Sequence, residues 1–342
     1  MDTEAPTPEI EQLKSWLPVD AIVRNGRPGI EWMDMSGVVL AEPFFSETVD
    51  RVRKEKVGTR ALVTDFAALI RLEKISDSLQ PSGFIFHSSR SGSTLVANAC
   101  RALRDALVVA EAPAIDKLIS RFFTDTDADG TKELFYSVFL RGAVSALGQR
   151  RLGNERHYFV KFASTSTLQF ARIRRVWPTV PAVFLFRDPI EVMVSNMRSL
   201  PQWMVIESNP ATAAAIIGVS LEEVMLISPE EFCARALGGY YAAVEAIADE
   251  HTLLINYDQL TPNALLQVVR FFGVSPSAEE IDAIIETCRP YSKDPTRTQV
   301  FRPDGAAKRA DASDLTKEMV EKWALPSYRR LTKLQMHRTA AK

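Results

Sequence analysis

Residues Phe84 to Leu95 read F-I-F-H-S-S-R-S-G-S-T-L. A buried-strand run leads into a tight turn of small hydroxyl residues around one basic residue, and a helix starts at Ser93. Such a turn points successive backbone N–H groups at one spot, and a helix N-terminus adds roughly half a positive charge there. Gly92 allows close backbone approach. Ser93 and Thr94 can donate hydroxyls to anionic oxygens, and Arg90 supplies a fixed charge. The chemistry served is the holding of a phosphoryl-like group. The nucleotide-triphosphatase pattern G-x-x-x-x-G-K-[ST] is not met: with Gly92 as its second glycine, His87 stands where the first belongs and Ser93 where the lysine belongs. A serine-rich helix cap is the plainer alternative.

A second strand, Val183-Phe184-Leu185-Phe186, ends in Arg187-Asp188-Pro189, and Ser195 follows eight positions after Arg187 on the next helix. An arginine at a strand end and a serine on the following helix can bracket one phosphate. A local Arg187–Asp188 ion pair with a helix start at Pro189 is the alternative.

Together these segments resemble the sulfotransferase superfamily, which uses 3′-phosphoadenosine 5′-phosphosulfate as sulfuryl donor. S-R-S-G-S-T resembles its 5′-phosphosulfate loop, [KR]-S-G-[ST]-[ST], and R-D-P-x-x-x-x-x-S resembles its 3′-phosphate motif. The resemblance implies that Arg90, Ser91, Gly92, Ser93 and Thr94 hold the phosphosulfate, with Ser89 at the head of the loop where a proline is usual. It assigns Arg187 and Ser195 to the 3′-phosphate. Further matches agree in order and spacing. Glu111, twenty-one residues after Arg90, is similar to the general base of tyrosylprotein and many bacterial sulfotransferases. Lys161, twenty-six residues before Arg187, is similar to a phosphosulfate-contacting lysine of the tyrosylprotein branch, and Arg90 is shared with that branch. Tyr257, in I-N-Y-D-Q-L, resembles a tyrosine near the adenine. The basic stretch with Arg297, Arg302, Lys308 and Arg309 fits a loop closing over the 3′-phosphate, or else a solvated charge run. A somewhat similar family segment supplies a hydroxyl to the donor, which points to Thr296.

By this resemblance Arg90 and Lys161 stabilise the leaving group and Glu111 takes the acceptor's proton. The apolar neighbours Val108, Val109, Ala110 and Ala112 would favour the protonated form of Glu111 and poise it near neutrality. Alternatively, Glu111 simply favours the start of a helix at Pro113. His87 reads as a second base or, more plainly, as a packed hydrogen-bonder. Two other functions stay open: a P-loop kinase or nucleotide hydrolase, against which the missing lysine speaks, and a catalytically silent nucleotide-binding protein.

The elements that must position these residues alternate. Strands are expected at Phe84–His87, Ala106–Ala110, His157–Phe162, Ala182–Phe186 and Thr252–Asn256, with helices between them. This implies an α/β fold, a P-loop-like three-layer sandwich whose central, mainly parallel sheet is flanked by helices, with ligands at the carboxyl ends of the strands. Residues 1–80 read as an extension packed on the core, broken by Pro6, Pro8, Pro18 and Pro28, with a half-buried strand at Ile30–Met35 and helices at Phe44–Lys56 and Leu62–Leu79. By the resemblance, residues 81–342 are expected to form a sulfotransferase-like catalytic domain. Residues 199–228, with Pro201, Trp203, Met204 and Met225, read as part of an acceptor pocket or lid, or as core.

At 342 residues with a net charge of −2, the chain gives no global argument for nucleic acid. Its three cysteines are far apart and form no metal pattern, so no metal is expected. No apolar run approaches the ~20 residues of a membrane span, and the first residues are polar and acidic. The expectation is a cytoplasmic enzyme taking a small-molecule or macromolecular sulfate acceptor, with no metal and no nucleic acid partner.

Overall fold

The computed structural model describes residues 10–55, 61–122, 131–288 and 304–340. Five strands form the central sheet: β4 (Gly83–His87), β5 (Ala106–Ala110), β6 (His157–Lys161), β7 (Ala182–Phe186) and β8 (Thr252–Asn256), in the order β5-β6-β4-β7-β8. The β5–β6, β4–β7 and β7–β8 pairings are parallel. Helices flank the sheet, as an α/β fold requires. β4 and β7, G-F-I-F-H and A-V-F-L-F, are buried along their whole length, as strands covered on both faces must be. The chain divides into two compact units, residues 1–83 with 100–161 and residues 84–99 with 162–342.

In the second unit the aromatic side chains of β4 organise the core. The Phe86 ring stacks on Phe162 at 4.7 Å and meets Phe170 edge-on at 4.8 Å, while Phe84 meets Trp177 at 5.2 Å. Helix starts are written in the sequence. Asp188, Ser228, Thr261 and Ser277 cap the helices Pro189–Arg198, Pro229–Glu245, Pro262–Phe271 and Ala278–Glu286. Three of these have proline in the first turn, and the fourth has a full Ser277–Glu280 capping box.

In the first unit β1 (Trp16–Arg24), β2 (Arg27–Asp34) and β3 (Leu62–Thr64) form an antiparallel sheet. Pro18 and Pro28 do not break the region. Pro18 lies on the edge strand β1 beside a register shift, and Pro28 lies near the start of β2, positions where a missing N–H is tolerated. The turn between the strands is Asn25-Gly26, both with positive φ (51° and 73°), the pairing a two-residue hairpin turn prefers. The helix expected over Leu62–Leu79 is replaced by β3 and a shorter helix, Ala67–Glu73. Leu62-Val63-Thr64 pairs with β2 instead, and the Asp65 carboxylate accepts from the Ala68 N–H at 3.0 Å to start the helix. Among the described residues no helix is long and apolar enough to cross a membrane.

Candidate functional site

The turn after β4 is built by an unusual backbone. Ser89 and Arg90 both have positive φ (68° and 48°), as does Gly92 (85°). Successive left-handed residues curve the chain into a concave run of N–H groups that suits an anion. A Cβ at Gly92 would run into the Leu260 side chain and lie 3.3 Å from the Tyr257 ring, so glycine is required there on space as well as on φ. The turn is held from behind. Ser88 N–H donates to the Leu185 carbonyl at 3.0 Å, and Ser91 Oγ donates to the same carbonyl at 2.9 Å. Ser89 N–H donates to His87 Nδ1 at 3.1 Å, and His87 O accepts from Thr167 Oγ1. His87 is thereby a packed hydrogen-bonder of the turn. Ser93 and Thr94 are buried at the start of the helix Ser93–Arg101.

Arg90 reaches sideways. Its Nε donates to Asn196 Oδ1 at 3.2 Å and its Nη2 to the Ser199 carbonyl at 2.9 Å. Asn196 also accepts from Ser89 Oγ at 3.4 Å, so one amide on the helix Pro189–Arg198 ties two residues of the turn.

Arg187, at the end of β7, is buried and converges on the same turn. Its Nη1 donates to the Arg90 carbonyl at 3.4 Å, its Nε to Glu191 at 2.7 Å and its Nη2 to Asp304 at 2.9 Å. Tyr257, just after β8, lies over the guanidinium, 3.9 Å from ring centroid to Cζ. Burial disfavours the charged guanidinium, but the Glu191 and Asp304 carboxylates outweigh it and hold its pKa above the ordinary arginine value. Ser195 is half-buried two turns along the same helix. Glu191 is only 1% exposed and is also gripped by Arg309. The i, i+4 placement of Glu191 after Arg187 and the polar Asn196 beside Ser195 were the signals for two supports that the motif pattern overlooks.

The first unit holds a second constellation. Glu111 directly follows β5 with φ +53°, and its N–H donates to the Lys161 carbonyl at 2.7 Å. Lys161, at the end of β6 and 1% exposed, places its ammonium against the Glu111 carboxylate, which is 25% exposed. The Lys161 ammonium also lies 5.2 Å from the centroid of the Phe44 ring. The Glu111 carboxylate therefore has a charged partner as well as the apolar neighbours read from the sequence.

No protein-family model and no curated protein matches the chain. Solved structures are similar to it. A sulfotransferase from Alicyclobacillus acidocaldarius aligns with TM-score 0.42 and 16% identity over 75% of this chain and 96% of that one. A sulfotransferase from Mycobacterium tuberculosis H37Rv aligns with TM-score 0.41 and 12% identity over 72% and 78%. A retinol dehydratase in complex with androsterone and inactive cofactor PAP aligns with TM-score 0.32 and 12% identity over 83% and 94%.

The second unit thus brings Ser89, Arg90, Ser91, Gly92, Ser93, Thr94, Arg187 and Tyr257 into one neighbourhood, and the first unit pairs Glu111 with Lys161. Thr296 and Arg302 lie outside the described residues. The segment 199–228 forms two short 3-10 turns, Gln202–Met204 and Ile206–Ser208, and the helices Pro210–Ile217 and Leu221–Val224. Trp203, half-buried, packs there against Phe232 and Tyr240.

Proposed function

We propose that this protein is a sulfotransferase that moves a sulfuryl group from 3′-phosphoadenosine 5′-phosphosulfate to a hydroxyl or amine of an acceptor. One observation carries the reading: Arg187 converges on the left-handed Ser89–Gly92 turn. A nucleoside-triphosphate cradle of the G-x-x-x-x-G-K-[ST] type has a lysine where Ser93 stands, and it binds one contiguous phosphate chain rather than two separated anions. A nucleotide with a 5′-phosphosulfate and a 3′-phosphate needs both anion sites and no lysine there. The residues fit that donor. The turn offers converging N–H groups, Ser93 and Thr94 offer hydroxyls, and Arg187 lies against Tyr257, a ring on which an adenine can also rest.

The donor supplies an already activated sulfuryl group, so the protein positions reactants and stabilises charge. The turn after β4 binds the phosphosulfate end. Arg187 and Ser195 hold the 3′-phosphate and fix the register. As the acceptor bonds to sulfur and the sulfur–oxygen bond to the donor breaks, Lys161 offsets the charge on the bridging oxygen, which leaves with the 5′-phosphate. Glu111, paired with Lys161 and partly open to solvent, accepts the acceptor's proton on its carboxylate.

Isothermal calorimetry tests this. The product 3′-phosphoadenosine 5′-phosphate should bind, ATP with Mg²⁺ should bind far more weakly, and Arg187→Ala should weaken the bisphosphate much more than adenosine 5′-phosphate. Tight ATP–Mg²⁺ binding with no preference for the 3′-phosphate would replace this reading with a kinase or hydrolase. Binding without transfer of labelled sulfate to any acceptor in an extract would replace it with a silent nucleotide-binding protein.

A further inference from the structure

The assignment of Arg187 to a phosphate raises a conflict within the second unit. In this structure its guanidinium already faces two carboxylates, and a phosphate arriving there meets both. They are not equivalent. Glu191 is 1% exposed, is held by Arg187 and Arg309 together, and backs the helix Gly305–Asp311 so closely that a Cβ at Gly305 would lie 2.6 Å from its Oε1. It is part of the wall. Asp304 is 47% exposed, and its two oxygens are divided between two cations: Oδ1 lies 2.9 Å from Arg187 Nη2 and Oδ2 lies 2.8 Å from Lys308 Nζ. Lys308 is itself buried. An anion with two oxygens set between a buried guanidinium and a buried ammonium is the arrangement a phosphate monoester would make.

We propose that Asp304 is an intramolecular stand-in for the nucleotide's 3′-phosphate, occupying Arg187 and Lys308 until the nucleotide displaces it. The proposal rests on the sulfotransferase reading above and adds to it a competitor and a second cation. A dianionic phosphate and the Asp304 carboxylate cannot share the two cations without strong like-charge repulsion, so binding turns the exposed aspartate outward. The two cations are kept paired and ordered in the free protein, and nucleotide affinity is lower than the cations alone would give. Release of the spent nucleotide is eased because Asp304 is at hand to retake its place.

The test is calorimetry on the full chain at fixed ionic strength with two probes, 3′-phosphoadenosine 5′-phosphate and adenosine 5′-phosphate. Asp304→Asn should tighten the bisphosphate about tenfold, the effect of removing roughly one competing charge contact, and leave the monophosphate unchanged. Lys308→Met in the Asp304→Asn background should reverse most of the gain. Asp304→Ser supplies the same comparison should the asparagine variant fold poorly. Bisphosphate affinity that is unchanged or weaker in Asp304→Asn overturns the proposal, leaving Asp304 as a structural ion pair or a direct nucleotide contact. Two patterns separate the failures. If wild type prefers the bisphosphate through Arg187 while Asp304→Asn changes nothing, only the stand-in falls. If wild type shows no Arg187-dependent preference, the 3′-phosphate assignment falls with it.

Discussion

Glu111 is the residue on which turnover is expected to depend most. Its carboxylate is held by Lys161, its backbone is held in the left-handed region, and its N–H is tied to the Lys161 carbonyl. A left-handed non-glycine residue costs of order 1 kcal/mol, and here the two contacts to Lys161 maintain it. The Glu111 carboxylate is partly exposed, so an acceptor can reach it, while the partner ammonium is buried. Glu111→Gln should therefore lower turnover roughly 10²–10⁴-fold and leave the affinity for 3′-phosphoadenosine 5′-phosphate unchanged by calorimetry. It should also cost up to about 3 kcal/mol in urea unfolding, because Lys161 keeps a buried charge without its partner. Near-normal sulfate transfer by the variant would remove Glu111 as the base, whatever happened to stability.

At the scale of elements, the helix Pro189–Arg198 organises the side of the second unit that carries Arg90 and Arg187. It carries Glu191 against Arg187, Ser195, and Asn196 against both Ser89 and Arg90. Its start depends on Asp188, whose carboxylate accepts from the Ile190 N–H at 2.8 Å and the Glu191 N–H at 3.4 Å. Asp188→Ala should cost about 1 kcal/mol, read as a lower urea midpoint, and should weaken nucleotide binding because the first turn carries Glu191. Asp188→Ser should restore most of both, and an alanine variant with wild-type midpoint and affinity would show that Pro189 alone starts the helix. The elements around this helix were legible in the sequence for a simple reason. The central strands are unbroken apolar runs, and their boundaries at Ala106–Ala110, Ala182–Phe186 and Thr252–Asn256 are those observed. Of the first unit's antiparallel sheet only part of β2 was legible, as the strand expected at Ile30–Met35; Pro18 and Pro28 mask the rest, in strands that tolerate them, although Asn25-Gly26 carried the turn signal. At the site, motif residues could be named, but their partners could not. Asp304 lies 117 positions from Arg187, and no local pattern links an arginine to a carboxylate that only folding brings to it. The sideways reach of Arg90 to Asn196 and Ser199 is likewise a tertiary contact that the turn's composition does not encode.

For the whole molecule, the ionisable groups predict a stability plateau with two edges. In the first unit, burial works against the charged forms of Glu42 and Glu155. Hydrogen bonds from Arg51 and Thr48 to the former, and from the backbone N–H groups of Arg151 and Leu152 to the latter, still hold both below the ordinary glutamate value. In the second unit burial opposes the charge of Asp304 in the same way, and Lys308 and Arg187 hold it below the ordinary aspartate value. Groups with lowered folded-state values contribute stability above their unfolded values, near 4.5 and 3.8, and lose it as pH falls through the folded ones. The acid edge therefore begins below about pH 4.5. On the alkaline side burial pushes the thiols of Cys100 and Cys233 up to about 12 and raises Tyr158, Tyr240 and Tyr241. Raised values give stability that is complete below the unfolded values, near 9.0 for cysteine and 10.0 for tyrosine, and that declines as pH rises toward the folded ones. Lys308, Arg151 and Arg174, each lowered by burial, run the other way, against raised thiols and phenols that also include Cys288 and Tyr328. Each buried thiol should thus withdraw about 2 kcal/mol by about pH 10.5. Urea midpoints measured in reducing buffer across this range should be level between the two edges and fall on both sides, and the Cys100→Ala/Cys233→Ala double variant should flatten the alkaline fall. A midpoint that holds steady to about pH 10.5 would mean that these thiols ionise in the folded protein, and that the second unit's core around Cys233 admits water.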